Sequence, residues 1–206
     1  MSRGPTVALV EFGPGNPASV MKAFAAAGAS VYRAASPDQI KGAEVVVIPG
    51  VGHFGATSSL DDEWRQAITS RLTGGATLFG ICLGMQWLFD GSEEAVGVPG
   101  LGLFRGRCFR LRGEVKVPHV GWNLLRMQNR ASPLFDGIPR DASMYFTHTF
   151  AAPVVPESTA VTTHGTEFSA VVERGRVIGT QFHPEKSGSF GLRLLANLLA
   201  SSERSS

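Results

Sequence analysis

The chain is poor in charge: 17% of its 206 residues are Asp, Glu, Lys or Arg, against roughly a quarter in an average soluble domain. What charge there is nearly cancels, 19 Lys and Arg facing 17 Asp and Glu. The basic surplus of an electrostatic nucleic-acid or membrane binder is therefore missing. Cysteine is scarce as well. Cys82 and Cys108 are too few for a disulfide framework and have no metal-ligand spacing. No run of about 18 apolar residues occurs, so no membrane-spanning helix is expected. Thr6–Val10, the most apolar early stretch, meets Glu11 at once without a cleavage pattern, and no signal peptide is expected. The expectation is a cytoplasmic protein that binds neither nucleic acid nor membrane and holds no metal and no cofactor.

Apolar residues, at 43%, and glycine, with 25 copies, are plentiful. The first suffices for one sizeable core, and the second supplies tight loops. The N-terminal half alternates between two kinds of segment. Strand-like runs are Thr6–Phe12, Ser30–Arg33, Glu44–Ile48 and Ala76–Phe79; helix-like ones are Pro17–Ala27, Leu60–Leu72 and Leu83–Phe89. Glu44–Ile48 is continuous and β-branched, as a strand buried on both faces should be. Short connections between such segments predict an α/β fold with a doubly wound, mostly parallel sheet.

The second half reads as antiparallel strands added to that sheet: Arg107–Leu111, Trp122–Met127, Met144–Phe150, Thr159–Thr163, and a hairpin turning at Glu173-Arg174-Gly175-Arg176. A leucine-striped helix, Ser189–Leu199, closes one domain over residues 1–206, with a polar tail at Ser201–Ser206.

Gly80-Ile81-Cys82-Leu83-Gly84 lies between a strand and a helix. Glycines flanking a central nucleophile allow a strained strand-to-helix elbow that presents the thiol at the carboxyl edge of the sheet. The helix start beneath it is expected to turn the Leu83 N–H toward an incoming oxyanion. The bland alternative is a small buried cysteine. Gln181-Phe182-His183-Pro184-Glu185 supplies a base and a carboxylate two residues apart, which in extended chain point the same way. Alone, such a pair reads as a solvated surface feature. With the elbow it reads as a Cys82–His183–Glu185 triad. Pro49-Gly50-Val51-Gly52-His53-Phe54-Gly55 follows the third strand. No Gly-Lys-Ser/Thr continues it, so it is not a P-loop. Val51 and Gly52 are candidates for a second oxyanion donor, an ordinary structural turn being the alternative; His53 is peripheral.

Together these strings resemble the class I, triad-type glutamine amidotransferases over essentially the whole chain and in the same order. Within that class, four further strings are similar to those of the glutaminase subunits of imidazole glycerol phosphate synthases: Phe12-Gly13-Pro14-Gly15-Asn16, the Pro49–Gly55 loop, Lys116-Val117-Pro118-His119-Val120-Gly121-Trp122-Asn123 and Tyr145-Phe146-Thr147-His148-Thr149-Phe150. Glu11-Phe12 stands where Asp-Tyr is usual, and Thr149-Phe150 where Ser-Tyr is usual. The resemblance implies a flavodoxin-like fold and hydrolysis of glutamine to glutamate and ammonia. It also implies a heterodimer with a (β/α)₈ cyclase subunit that consumes the ammonia in histidine biosynthesis. Gly50, Gln86, Thr149 and Phe150 are then the expected glutamine contacts; Pro118, His119, Trp122 and Asn123 are the expected partner interface, with a core Trp122 as the alternative. The competing functions are the glutaminase of another synthase, such as the vitamin B6-forming one, and a non-catalytic regulatory subunit.

Overall fold

A computed structural model describes residues 4–13 and 15–203. The first half runs β1 (Thr6–Val10), α1 (Pro17–Ala26), β2 (Ser30–Ala34), β3 (Val45–Ile48), α2 (Asp62–Thr73), β4 (Thr77–Ile81) and α3 (Leu83–Trp87). The second runs β5 (Gly91–Ser92), β6 (Ala95–Pro99), β7 (Arg107–Arg110), β8 (His119–Leu124), β9 (Arg126–Met127), β10 (Ser143–His148), β11 (Phe150–Ala151), β12 (Ser158–His164), β13 (Thr166–Arg174), β14 (Val177–Thr180) and α4 (Gly188–Glu203). Of the expected tail at Ser201–Ser206, the first three residues extend α4, and the remainder lies outside the described residues, as does Pro14.

Among the described residues the main sheet has the order β2-β1-β3-β4-β14-β13-β12-β9. β2, β1, β3, β4 and β14 are mutually parallel; β13, β12 and β9 continue antiparallel. The doubly wound expectation holds. Strand alternation builds two cores. Val7, Leu9, Val45, Val47, Phe79 and Ile81 face one way, toward Phe24 of α1 and Leu194, Leu195 and Leu198 of α4. Ala8, Val10, Val46, Ile48 and Leu78 face the other, toward Trp64 and Ile68 of α2. β1 lies between β2 and β3, so the strand order reverses beside it, and the crevice at the carboxyl ends is where such sheets bind ligands.

The antiparallel half departs from expectation in its breaks. Strand material expected to join the main sheet forms two smaller sheets, β10-β8 and β11-β7-β5-β6. The run Trp122–Met127 is two strands: β8 pairs with β10, and β9 pairs with β12 at the edge of the main sheet. The chain changes sheets at Leu125, which is buried and whose N–H donates to the Ala142 carbonyl. Met144–Phe150 divides likewise at Thr149, whose carbonyl accepts from the Leu111 N–H. The helix expected from Leu60 starts at Asp62, because Asp61 caps it by accepting the Trp64 N–H at 3.1 Å.

Candidate active site

β4 and β14 are parallel neighbours, with Ile81 opposite Thr180. The Cys82 N–H extends the ladder to the Thr180 carbonyl at 2.7 Å. Cys82 and His183 consequently leave adjacent strands at the same edge of the sheet. Cys82 has φ 52 and ψ −105 and is the non-glycine residue with positive φ among the described residues. That strain persists because its surroundings dictate it. A Cβ on Gly80 would lie 2.7 Å from the Gly84 and Met85 backbone, and one on Gly84 only 1.8 Å from the Ile48 carbonyl oxygen. The glycines flanking Cys82 thus let strand, elbow and helix pack backbone against backbone.

His183 is held from several sides. Its N–H donates to the Tyr145 carbonyl at 2.9 Å, and its carbonyl accepts from Ser187 Oγ at 2.6 Å. Glu185 reaches its ring, Oε1 to Nδ1 at 2.8 Å, with both side chains almost wholly buried. The extended geometry expected for this pair is replaced by a 3₁₀ turn over Pro184–Lys186. Proline, with φ already near −65°, starts the turn and swings the carboxylate back over Nδ1.

Burial alone would lower the pKa of His183. The Cys82 sulfur and the hydrogen-bonded Glu185 carboxylate outweigh it and hold the imidazole well above its ordinary value, at about 10. Nε2 has no closed hydrogen bond among the described residues. The Cys82 sulfur is nonetheless close enough to act on the ring and favour its charged form.

A cavity of about 240 Å³ opens on the Cys82 side, bordered by Gly52, Leu83, Gln86, Glu94, Pro118 and the stretch 147–150. A second, of about 290 Å³, lies at the strand-order reversal and contains His183 and Glu185 with Glu11, Asn16, Gly50, Val51 and Lys186. The expected glutamine contacts are thus divided: Gln86, Thr149 and Phe150 border the first cavity, whereas Gly50 borders the second. Gln86 Nε2 is already engaged, donating to the Phe150 carbonyl at 2.7 Å and to Gln181 Oε1 at 3.2 Å. Gln181 Nε2 in turn faces Cys82 Sγ at 3.6 Å.

Of the candidate oxyanion donors, Leu83 N–H makes a long bond, 3.4 Å, to the Gly50 carbonyl. Gly52 stands at φ 100, a conformation open to glycine. Glu94 was not singled out in the sequence. It belongs to the β5–β6 turn, which carries no periodic signal, and its Oε2 accepts the Phe54 N–H at 2.7 Å. Neither this site nor any other cluster among the described residues has the His, Cys, Asp and Glu grouping of a metal centre.

The expected interface residues separate by strand alternation. Trp122 is 59% exposed, with Val120 and Leu124 exposed on the same face of β8. Pro118 is exposed at the cavity rim. His119 and Asn123 lie on the opposite face of β8, His119 only 4% exposed and Asn123 half-buried and hydrogen-bonded to its ring.

Comparison with known proteins agrees with this architecture. The family model for class-I glutamine amidotransferases matches residues 8–201. An imidazole glycerol phosphate synthase subunit HisH from Thermococcus kodakarensis is 45% identical over 197 residues, spanning 93% of this chain and 97% of its own. Its counterpart from Deinococcus radiodurans is 43% identical, spanning 94% and 92%. Among solved structures, PurLQS from Thermotoga maritima superposes with a TM-score of 0.76 at 17% identity, covering 96% of this chain and 98% of that one.

Proposed function

The chain belongs to the class-I glutamine amidotransferases, and on that premise we propose how its residues divide the work. It hydrolyses glutamine to glutamate and ammonia, and, like the imidazole glycerol phosphate synthase subunits it matches, it supplies that ammonia to imidazole glycerol phosphate synthesis. The observation that carries the residue assignment is the β4–β14 pairing, which sets the Cys82 thiol beside an imidazole backed by Glu185.

Cys82 is the nucleophile. Its thiolate adds to the side-chain amide carbon of glutamine, and the carbonyl oxygen becomes the oxyanion. Protonated His183 gives its Nε2 proton to the amide nitrogen, the carbon–nitrogen bond breaks, and ammonia leaves a γ-glutamyl thioester. Water then attacks the thioester while His183 takes a proton from it. The sulfur departs as thiolate and glutamate is released. Glu185 keeps the ring oriented and stabilises its charged form.

The cavity beside Cys82 suits a zwitterionic amino acid. Glu94 offers a carboxylate for the α-ammonium group, and the backbone at Thr149 and Phe150 borders the rest. Oxyanion donors come from Leu83 and the Val51–Gly52 peptide, each worth about 3–4 kcal/mol of barrier. With Leu83 N–H bonded to the Gly50 carbonyl, the 50–52 loop must turn before that donor is free. Glycine on both sides of Val51 makes the turn inexpensive. We assign this turn to partner binding.

Ammonia is mostly protonated in neutral water and is then no nucleophile, so the product is best passed on without meeting solvent. Val120, Trp122 and Leu124 form an apolar stripe beside the site, and it suits a cyclase subunit docked there. Glutamate release, measured with and without a cyclase subunit holding its nucleotide, tests the assignment. Release rises sharply with the partner; equal rates would refute the gating. Cys82→Ala abolishes glutamine-dependent synthesis and leaves ammonium-driven synthesis intact. Loss of both together would contradict its role as nucleophile.

A further inference from the structure

His119 and His148 form a buried pair that the mechanism does not use. His148 Nδ1 lies 2.9 Å from the Phe150 carbonyl oxygen, the same oxygen that accepts from Gln86 Nε2. His119 Nδ1 is 3.1 Å from His148 Nε2. Asn123 Nδ2 is 3.3 Å from His119 Nε2 and 3.1 Å from the Thr163 carbonyl. Asn123 Oδ1 accepts the Leu124 N–H at 2.8 Å.

Both ends of this chain have one possible polarity. A carbonyl only accepts, so His148 Nδ1 carries a hydrogen and its Nε2, in the neutral ring, is bare. His119 Nδ1 must then donate to that Nε2, which leaves His119 Nε2 bare. From the other end, the Thr163 carbonyl and the Leu124 N–H fix which way the Asn123 amide points, and its N–H meets the bare His119 Nε2. The two ends agree.

An added proton has no place. On His119 it would set Nε2–H against the Asn123 N–H. On His148 it would set two N–H groups face to face, or force His119 into the form that clashes with Asn123. No carboxylate among the described residues acts on either ring. His119 is stacked between Phe146 and His164, and His148 meets the edge of Phe168. Among the described residues the ionisable groups acting on the pair, besides each other, are His164 and His183, with no carboxylate. Burial, followed by these neighbouring rings, lowers His119 to about 4 and His148 to about 3.

We propose that His119 and His148 are positioning residues for glutamine hydrolysis: two neutral imidazoles, each protonated on Nδ1, that pin the Phe150 carbonyl and thereby the 147–150 wall of the cavity. Through that oxygen they also fix Gln86, whose amide holds Gln181 against the Cys82 sulfur. The proposal rests on the glutaminase reading above.

Two-bond ¹H–¹⁵N spectra of the full chain at pH 7 read both tautomers, with His119→Asn and His148→Asn chains providing the assignments. Both rings are expected neutral with hydrogen on Nδ1, the minor form of histidine in water. A charged ring, or hydrogen on Nε2 at either position, overturns the proposal. Glutamine hydrolysis in the presence of the cyclase subunit is the second readout. His148→Leu raises KM roughly three- to tenfold, with kcat falling less, as expected when one hydrogen bond to a pocket wall is lost. His148→Asn, whose Nδ2 replaces Nδ1, brings KM back. An unchanged KM in His148→Leu, or equal KM in the two variants, overturns the proposal. If His148→Leu does not fold, the wild-type spectra decide. An inactive wild-type chain would overturn the glutaminase reading and this proposal together, whereas active wild type with the wrong tautomers overturns this proposal alone.

Discussion

Glu185 backs the His183 ring, and in the proposed mechanism the working pH of the site depends on it. Its carboxylate and the Cys82 sulfur hold His183 protonated well above neutrality, against the pull of burial. In the proposed mechanism the imidazolium is the acid that releases ammonia, so activity is lost as pH rises through the folded pKa of His183. Removing the carboxylate removes one of the causes that raise that pKa. Glu185→Gln therefore moves the basic limb of kcat/KM to lower pH and reduces kcat by about 10²-fold or more, the direction known for replaced triad carboxylates. A pH profile of glutamate release checks it; a basic limb that does not move would contradict the assignment. The residue types of the proposed triad were legible, because a thiol between glycines and a His-Pro-Glu string are unusual locally. The turn that joins His183 to Glu185 was not. It depends on Ser187 and Tyr145 anchoring the chain on both sides of His183.

At the elbow, β4, Cys82 and α3 form one rigid piece. The Gly84 α-carbon packs so closely on β3 that an added methyl would overlap the Ile48 carbonyl, and neither backbone segment can yield cheaply. Gly84→Ala should cost at least about 3 kcal/mol, beyond the usual range for overpacking. Urea unfolding midpoints measure it, and a loss under 1 kcal/mol would mean that the elbow relaxes more easily than its geometry allows. The strand–helix alternation of the first half was visible because buried parallel strands are short apolar runs bounded by glycine. The breaks at Leu125 and Thr149 had no such sign. Each depends on a backbone partner contributed from elsewhere, Ala142 in one case and Leu111 in the other.

Across the assembled fold, the apolar stripe of β8 lies close to the reacting groups. Trp122 packs edge-on against Tyr145 at 6.0 Å, and Lys186 Nζ lies 5.9 Å from the Tyr145 ring. Both of those neighbours flank His183 and Glu185, through the Tyr145 carbonyl and the Pro184–Lys186 turn. If Trp122 anchors the partner, Trp122→Ala weakens cyclase binding by about 2 kcal/mol, roughly thirtyfold in Kd, while partner-free glutaminase activity stays at its wild-type rate. Calorimetric titration would settle it, an unchanged Kd placing the docking face elsewhere. Fold class was written locally, and so were the candidates for nucleophile, base and carboxylate, in residue types and spacings that short-range sterics and periodicity can express. Which side of β8 turns inward, that the Leu83 N–H is tied to the Gly50 carbonyl, and that Glu94 borders the cavity were decided by long-range pairing alone. Those outcomes depend on the register between strands distant along the chain, and only packing energy selects that register.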